Sequence, residues 1–178
     1  ARRWGRRVPL WLMTSAATDA PIRAALGDRL DQRDVAVVRQ GLSLRLTPEG
    51  RLFRDADGRP SPYAPGHGDL PDVLRQSGLI ERFLERGGRY LMITNLDNLG
   101  ANLEPAYAGW FLEQQSACVC EVVDKVPADR GGIPVLVGGR TMVVEEYRLP
   151  SSFPPSRVEV FNTNTFHVDA RSMLQPLE

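Results

Sequence analysis

Lysine is nearly missing from this sequence: Lys125 stands alone beside 21 arginines. The arginines scatter over surface-like positions, so the imbalance reads as a genome composition bias. An excess of either charge is missing too, with 22 basic against 22 acidic side chains. That balance removes the global attraction that dominates non-specific nucleic-acid binding, and a DNA or RNA role would need a local basic patch. Arg2, Arg3, Arg6 and Arg7 form a basic run, read here as a solvated segment because no long apolar stretch follows it as a signal peptide requires. The longest apolar stretch, Val8 to Met13, is strand-sized, so nothing is expected to span a membrane. Cysteine is scarce, with only Cys118 and Cys120. Their spacing in an apparent strand puts both on one face. A metal site would want a CxxC pair and further ligands, so these read as core or half-buried thiols of a reducing, intracellular and cytoplasmic protein.

What is present is an ordinary globular composition of 178 residues, 42% hydrophobic and 25% charged. A chain of this length can bury one substantial core without disulfides or metals, and length favours a single domain over residues 1–178. Collagen, coiled coil and a long disordered chain are excluded.

Val8 to Met13, then Thr14, Ser15, Thr18 and Asp19, then Pro21 to Gly27 read as strand, loop and a helix capped by Thr18 or Asp19. Val35 to Val38 is a second strand, and a β-α-β unit favours a parallel pair. Residues 41–65 read as an irregular loop punctuated by Pro48, Gly50, Asp57, Gly58, Pro60, Pro62 and Pro65. Asp69 is expected to cap a helix that carries Pro71 in its first turn. Leu79 to Leu84 continues an amphipathic pattern, and Tyr90 to Thr94 is a third strand. Glu104 to Gln115 reads as a helix and Cys118 to Val123 as a strand. Ile133 to Val137, Thr141 to Val144 and Val158 to Phe161 add β segments, with Gly138 and Gly139 as a hairpin turn.

Polar residues gather where these elements end, which is where ligands bind in open α/β sheets. The sets are Gly66-His67-Gly68-Asp69, Asn95-Leu96-Asp97-Asn98 and Asn162-Thr163-Asn164. Glycines on both sides of His67 allow close backbone approach to a ligand, or simply make a turn whose Asp69 caps the next helix. Asp97 offers a hard oxygen of the kind that suits Mg²⁺ on phosphates, or is an Asx-turn residue; composition leaves both open.

Val8 to Ser15 with Thr18 and Asp19, Pro65 to Asp69, Gln76 to Leu79, and Thr94 to Ala101 resemble the eukaryotic-type UTP:glucose-1-phosphate uridylyltransferases. Lys125 with Ala128 to Gly132, and Val160 to Asn164, continue the resemblance in the same order over roughly residues 8–170. It implies an α/β fold: a Rossmann-like nucleotidyltransferase core with a mostly parallel mixed sheet flanked by helices, incomplete at both ends. It also implies Mg²⁺-dependent in-line attack of glucose 1-phosphate on the α-phosphate of UTP, giving UDP-glucose and pyrophosphate.

By the same resemblance, Gln40 is the glutamine that hydrogen-bonds uracil, and Gly66 contributes backbone contacts to that base. His67 faces the sugar phosphate as an orienting donor. Asn95, Leu96 and Asp97 hold the sugar nucleotide, with Asp97 also on Mg²⁺; Asn164 falls where the family binds sugar hydroxyls, with Asn162 close behind as a supporting candidate. No residue is assigned a catalytic role, and the expected partners are UTP and glucose 1-phosphate, with no nucleic acid or membrane. Residues 41–46 lack the Arg-Tyr-Pro-Arg-like character usual after the family glutamine. The family's glycine-rich phosphate loop does not precede Val8, and its C-terminal β-helix is missing. Two alternatives therefore stand beside the enzyme: a UDP-sugar binding module without turnover, and uridylyl transfer to another sugar 1-phosphate.

Overall fold

The computed structural model describes residues 5, 7–31, 33–126, 131–154 and 157–175. Arg2, Arg3 and Arg6 of the basic run, and Ala128 to Arg130 of the resemblance, lie outside the described residues. Contacts gather into two compact units, one running to Arg86 and the other over Gly87–Gln175.

The first unit begins with the apolar run. Leu10–Thr14 forms strand β1 and Asp19–Leu26 forms helix α1. Ser15 and Thr18 exchange backbone-to-hydroxyl bonds of 2.9 and 3.2 Å, which shape the turn between strand and helix. Thr18 occupies the cap position but makes no side-chain cap bond. Asp19, in the first turn, pairs instead with Arg23 one turn on, at 2.8 Å. Gly27 ends the helix at φ 49°. Val35–Arg39 is β2, parallel to β1 with Leu10 opposite Val35 and Thr14 opposite Arg39.

Residues 41–65 are more ordered than the loop expected from their prolines and glycines. Ser43–Leu44 is β3 and Pro62–Tyr63 is β4, paired antiparallel, and bridges Leu46↔Leu52 and Arg54↔Pro60 extend the arm. The punctuating residues supply two tight turns: Gly50 N–H donates to Thr47 and Gly58 N–H to Asp55. The Asp55 carboxylate takes further backbone bonds from Asp57 and Arg59, so turn chemistry organises the segment. Leu70–Gln76 is α2 and Leu79–Glu85 is α3. Val73, Leu74 and Ile80 are buried, and Trp11 of β1 meets Phe83 of α3 edge-on at 5.4 Å.

In the second unit Tyr90–Ile93 is β5, Pro105–Gln114 is α4 and Cys118–Asp124 is β6. Gly132–Val137 (β7) and Arg140–Glu145 (β8) form the expected hairpin around Gly138 and Gly139, both at positive φ. The last strand, β9, runs Val160–Asp169 and pairs antiparallel with both β5 and β6. Its inner residues Thr165, His167 and Val168 are buried, and Phe111 of α4 packs edge-on to Tyr90 at 5.4 Å.

The α/β class is as expected. The mostly parallel character, however, is confined to β1 and β2; the other ladders among the described residues are antiparallel. A two-residue turn such as Gly138-Gly139 can only join antiparallel neighbours, which accounts for β7 and β8, while β9 enters between β5 and β6 and runs opposite to both. Among the described residues no helix is long and apolar enough to cross a membrane.

Candidate functional site

In the first unit, two loops clamp each other at the end of β2. Gln40 continues the ladder, its N–H donating to Thr14 at 2.8 Å. Its side-chain Oε1 accepts from Gly66 N–H at 2.8 Å, while Gly41 N–H donates to Asp69 Oδ2 at 2.9 Å. A backbone N–H can only donate, so the first bond fixes which end of the Gln40 carboxamide is oxygen and turns its Nε2 away from Gly66. Gly66 sits at φ 94° and ψ −165°, a region essentially restricted to glycine.

One expectation changes here. The Asp69 carboxylate makes no helix cap bond and serves Gly41 instead, because an N–H 28 residues away in sequence lies within its reach. The Gly66 amide is engaged by Gln40, and its carbonyl accepts from Asp69 N–H. His67 follows in an exposed position at the start of a short 3₁₀ turn, His67–Asp69.

In the second unit the candidate residues come together around a bulge. Cys120 pairs with Phe166 but Val122 pairs with Asn162, so Thr163, Asn164 and Thr165 of β9 face Glu121 alone. Bulges of this kind re-aim side chains and cluster beside functional sites. Asn164 adopts φ 61°, unusual outside glycine. Its N–H donates to Asn162 Oδ1 at 2.8 Å, and its Nδ2 donates to Asn95 Oδ1 at 2.8 Å. The Cys120 thiol donates to the same Asn162 oxygen at 2.9 Å. Asn162-Thr163-Asn164 therefore lies inside a long strand, and not past the end of one as the polar run suggested.

Asn98 anchors the facing turn: its Nδ2 donates to Thr165 Oγ1 at 3.2 Å, and its Oδ1 accepts from Gly100 N–H at 3.2 Å. Thr94 and Thr165 share a hydroxyl–hydroxyl bond of 3.3 Å. Leu96 and Asp97 are exposed on that turn. Among the described residues nothing hydrogen-bonds or pairs with the Asp97 carboxylate. Asn98, Thr165 and Cys120 hold the candidate residues in place, a role that reading the motifs did not give them. The alternation of Thr165 with His167 on one strand face was the available signal for Thr165.

A free, exposed carboxylate is the donor that Mg²⁺ uses when substrate phosphates and water complete its shell. Among the described residues no cluster of three or more His, Cys, Asp and Glu side chains could hold a metal alone. A single exposed carboxylate such as Asp97 could supply one ligand to such an ion. Lys125, the single lysine, is half-buried and ion-paired with Glu146. Cys118 is exposed and Cys120 half-buried, both on one face of β6. Burial, reinforced by the neighbouring Cys118 and Glu121, pushes the Cys120 thiol up to about 11.

The fold defines a class: an α/β protein built like the solved UDP-sugar pyrophosphorylases. A UDP-glucose phosphorylase from Trypanosoma brucei superimposes with a TM-score of 0.80 at 27% identity, over 96% of this chain and 41% of that one. A UDP-glucose pyrophosphorylase from Leishmania major, solved with UDP-glucose, superimposes with a TM-score of 0.78 at 22% identity, over 97% of this chain and 42% of that one. The chain belongs to the UDPGP family, UTP--glucose-1-phosphate uridylyltransferase, whose family model matches residues 1–178. The UTP--glucose-1-phosphate uridylyltransferase of Encephalitozoon cuniculi is 32% identical over 96% of this chain. A probable UTP--glucose-1-phosphate uridylyltransferase of Schizosaccharomyces pombe is 33% identical over 84%. The chain spans only 36% and 31% of those two relatives.

Proposed function

We propose that the protein carrying this chain forms UDP-glucose and pyrophosphate from UTP and glucose 1-phosphate in the cytoplasm, and that the chain is part of its nucleotidyltransferase domain. The observation that carries the reading is the β9 bulge, which sets Asn164, steadied by Asn162, against Asn95 on the turn that also bears the free Asp97 carboxylate. Carboxamides arranged this way offer both donors and acceptors, which is what several hydroxyls of one sugar require.

In the first unit, Gln40 Nε2 supplies a donor for a uracil carbonyl, oriented by the Gly66 amide. His67 orients the sugar phosphate as a hydrogen-bond donor. No general base is needed, since the attacking phosphate oxygen is already ionised. Asp97 would hold Mg²⁺, which would offset repulsion between the two phosphates and the charge on the departing pyrophosphate. The chain's own residues position the substrates, and positioning accounts for much of phosphoryl-type transfer.

The test is pyrophosphate release by the full-length protein with UTP, glucose 1-phosphate and Mg²⁺. His67→Ala and Asp97→Ala are each expected to lower turnover by about 10²-fold with the fold retained. Near-normal turnover in both overturns the placement. Comparing glucose, galactose and N-acetylglucosamine 1-phosphates reads the sugar, with glucose expected to lead.

A second reading has its own support: the only lysine is committed to Glu146. By itself this chain then binds UDP-glucose without turning it over. Titration calorimetry with UDP-glucose, beside a pyrophosphate assay on the same sample, separates the two.

A further inference from the structure

We propose that Cys120 is a positioning residue for the sugar-binding asparagines: its thiol holds the Asn162 carboxamide in the orientation that keeps Asn164 left-handed and against Asn95. The proposal rests on the reading of Asn164 as a sugar contact; Cys120 itself touches no substrate.

The argument runs through one oxygen. Asn162 Oδ1 accepts from the Asn164 N–H at 2.8 Å and from Cys120 Sγ at 2.9 Å. The backbone donor decides that oxygen, and not Nδ2, faces Asn164. One donor leaves the carboxamide free to swing about its side-chain torsions, whereas a second from the neighbouring strand removes that freedom. The swing matters because Asn164 is an L residue at φ 61°, a conformation that persists where the surroundings hold it. From Asn164 the chain of contacts continues through Nδ2 to Asn95 Oδ1 at 2.8 Å, and so to the turn bearing Asp97.

Cys120 is suited to this by position and by chemistry. It is the last residue of β6 to pair in register before the bulge, opposite Phe166. Its proton stays on sulfur at neutral pH, since burial, Cys118 and Glu121 together hold the thiol near 11. A thiolate would lose the donor and repel Asn162 Oδ1. Two acceptors lie within reach of Cys120 Sγ, and Asn162 Oδ1 at 2.9 Å is nearer than the Glu121 carbonyl at 3.4 Å, which the Thr163 hydroxyl also approaches at 3.3 Å.

The experiment compares Cys120→Ala, Cys120→Val and Cys120→Ser in the full-length protein. Val fills the space without a donor and serves if Ala does not fold; Ser restores a donor. Loss of the donor is expected to raise KM for glucose 1-phosphate roughly three- to tenfold, with kcat and the KM for UTP within about twofold, and Ser is expected to recover most of it. Hydrogen–deuterium exchange of the Asn164 amide should quicken by a similar factor in Ala and Val and not in Ser.

Unchanged KM and exchange in Ala and Val overturn the proposal. So does a Ser variant as impaired as Ala, which would make shape and not the proton responsible. A parallel loss of kcat, both KM values and melting temperature overturns it as well, since that marks general packing. Asn164→Gly is the control for the underlying reading. If it leaves KM for glucose 1-phosphate unchanged, the sugar assignment has failed, and the exchange rate of Asn164 alone then decides for or against Cys120.

Discussion

Asn164 Nδ2 meets Asn95 Oδ1 at 2.8 Å across 69 residues of sequence, tying the bulge of β9 to the turn after β5. The left-handed φ of Asn164 lets the two losses be separated. Asn164→Gly removes the carboxamide and keeps the backbone at ease, while Asn164→Ala removes the carboxamide and adds strain of about 1 kcal/mol. Ala is therefore expected to be the less stable of the two by about that amount in urea unfolding. A double-mutant cycle with Asn95→Ala should give a coupling of about 0.5–1.5 kcal/mol, the range of one net hydrogen bond. Additive effects would mean that the pair contributes nothing.

Among the described residues the Asp97 carboxylate has no structural partner, and the Asp97 carbonyl that accepts from Leu99 N–H is kept in any substitution, so its replacement tests chemistry with little disturbance of the fold. Asp97→Asn keeps size and polarity and removes the charge. Thermal stability should stay within about 0.5 kcal/mol of the parent, as for ordinary surface changes. The Mg²⁺ concentration needed for half-maximal turnover should rise at least about tenfold, because a neutral amide is a poor partner for a hard dication. A Mg²⁺ dependence equal to the parent's would move the metal ligand elsewhere.

Legibility in the sequence followed the range of the interactions. Leu10–Thr14 and Val35–Arg39 were readable because a buried strand announces itself as an apolar run, and Gly138-Gly139 because a two-residue hairpin needs positive φ. The family was readable because its motifs recur in order, and the family match bears that out. Asn162-Thr163-Asn164 was placed past the end of a strand, since consecutive polar residues break the alternation of one, yet it lies inside β9. The bulge absorbs the break, and Asn98, Thr94 and Glu121 supply partners that only the fold brings near. Asp69 followed a local rule, acid before a proline-led helix, that lost to the Gly41 amide. The β-α-β unit correctly foretold one parallel pair, whereas the mostly parallel sheet came from the resemblance, and nothing in the later apolar runs encodes strand direction.

Gly66 is predicted to be irreplaceable for a reason of backbone alone. At φ 94° and ψ −165° no heavy atom lies within 4 Å of where a Cβ would stand, so space is not the obstacle. Gly66→Ala should cost about 1–3 kcal/mol in denaturant unfolding. Its relief, a backbone rotation, would withdraw the N–H from Gln40 and should weaken UTP binding more than glucose 1-phosphate binding. Gly68→Ala, at ordinary φ and with equal space, is the control and should be near neutral.

Thr14 is 1% exposed at the end of β1, and its hydroxyl donates to Asp19 Oδ1 at 2.6 Å. This bond first, and the Arg23 bond second, hold the Asp19 carboxyl below the usual aspartate value. A carboxyl whose folded pKa is depressed stabilises the fold fully above its unfolded value, about 3.9, and loses that contribution as pH falls through the lower folded value. Thr14→Val keeps the shape and removes the donor, so the Asp19 pKa should rise toward the ordinary value. Acid unfolding followed by circular dichroism should then begin at higher pH in the variant. Arg23→Met should move it in the same direction by less, because the Thr14 bond is the larger cause. Coincident acid transitions for Thr14→Val and the parent would mean that the strand-to-helix junction does not depend on this bond. A larger shift from Arg23→Met would make the ion pair its principal support.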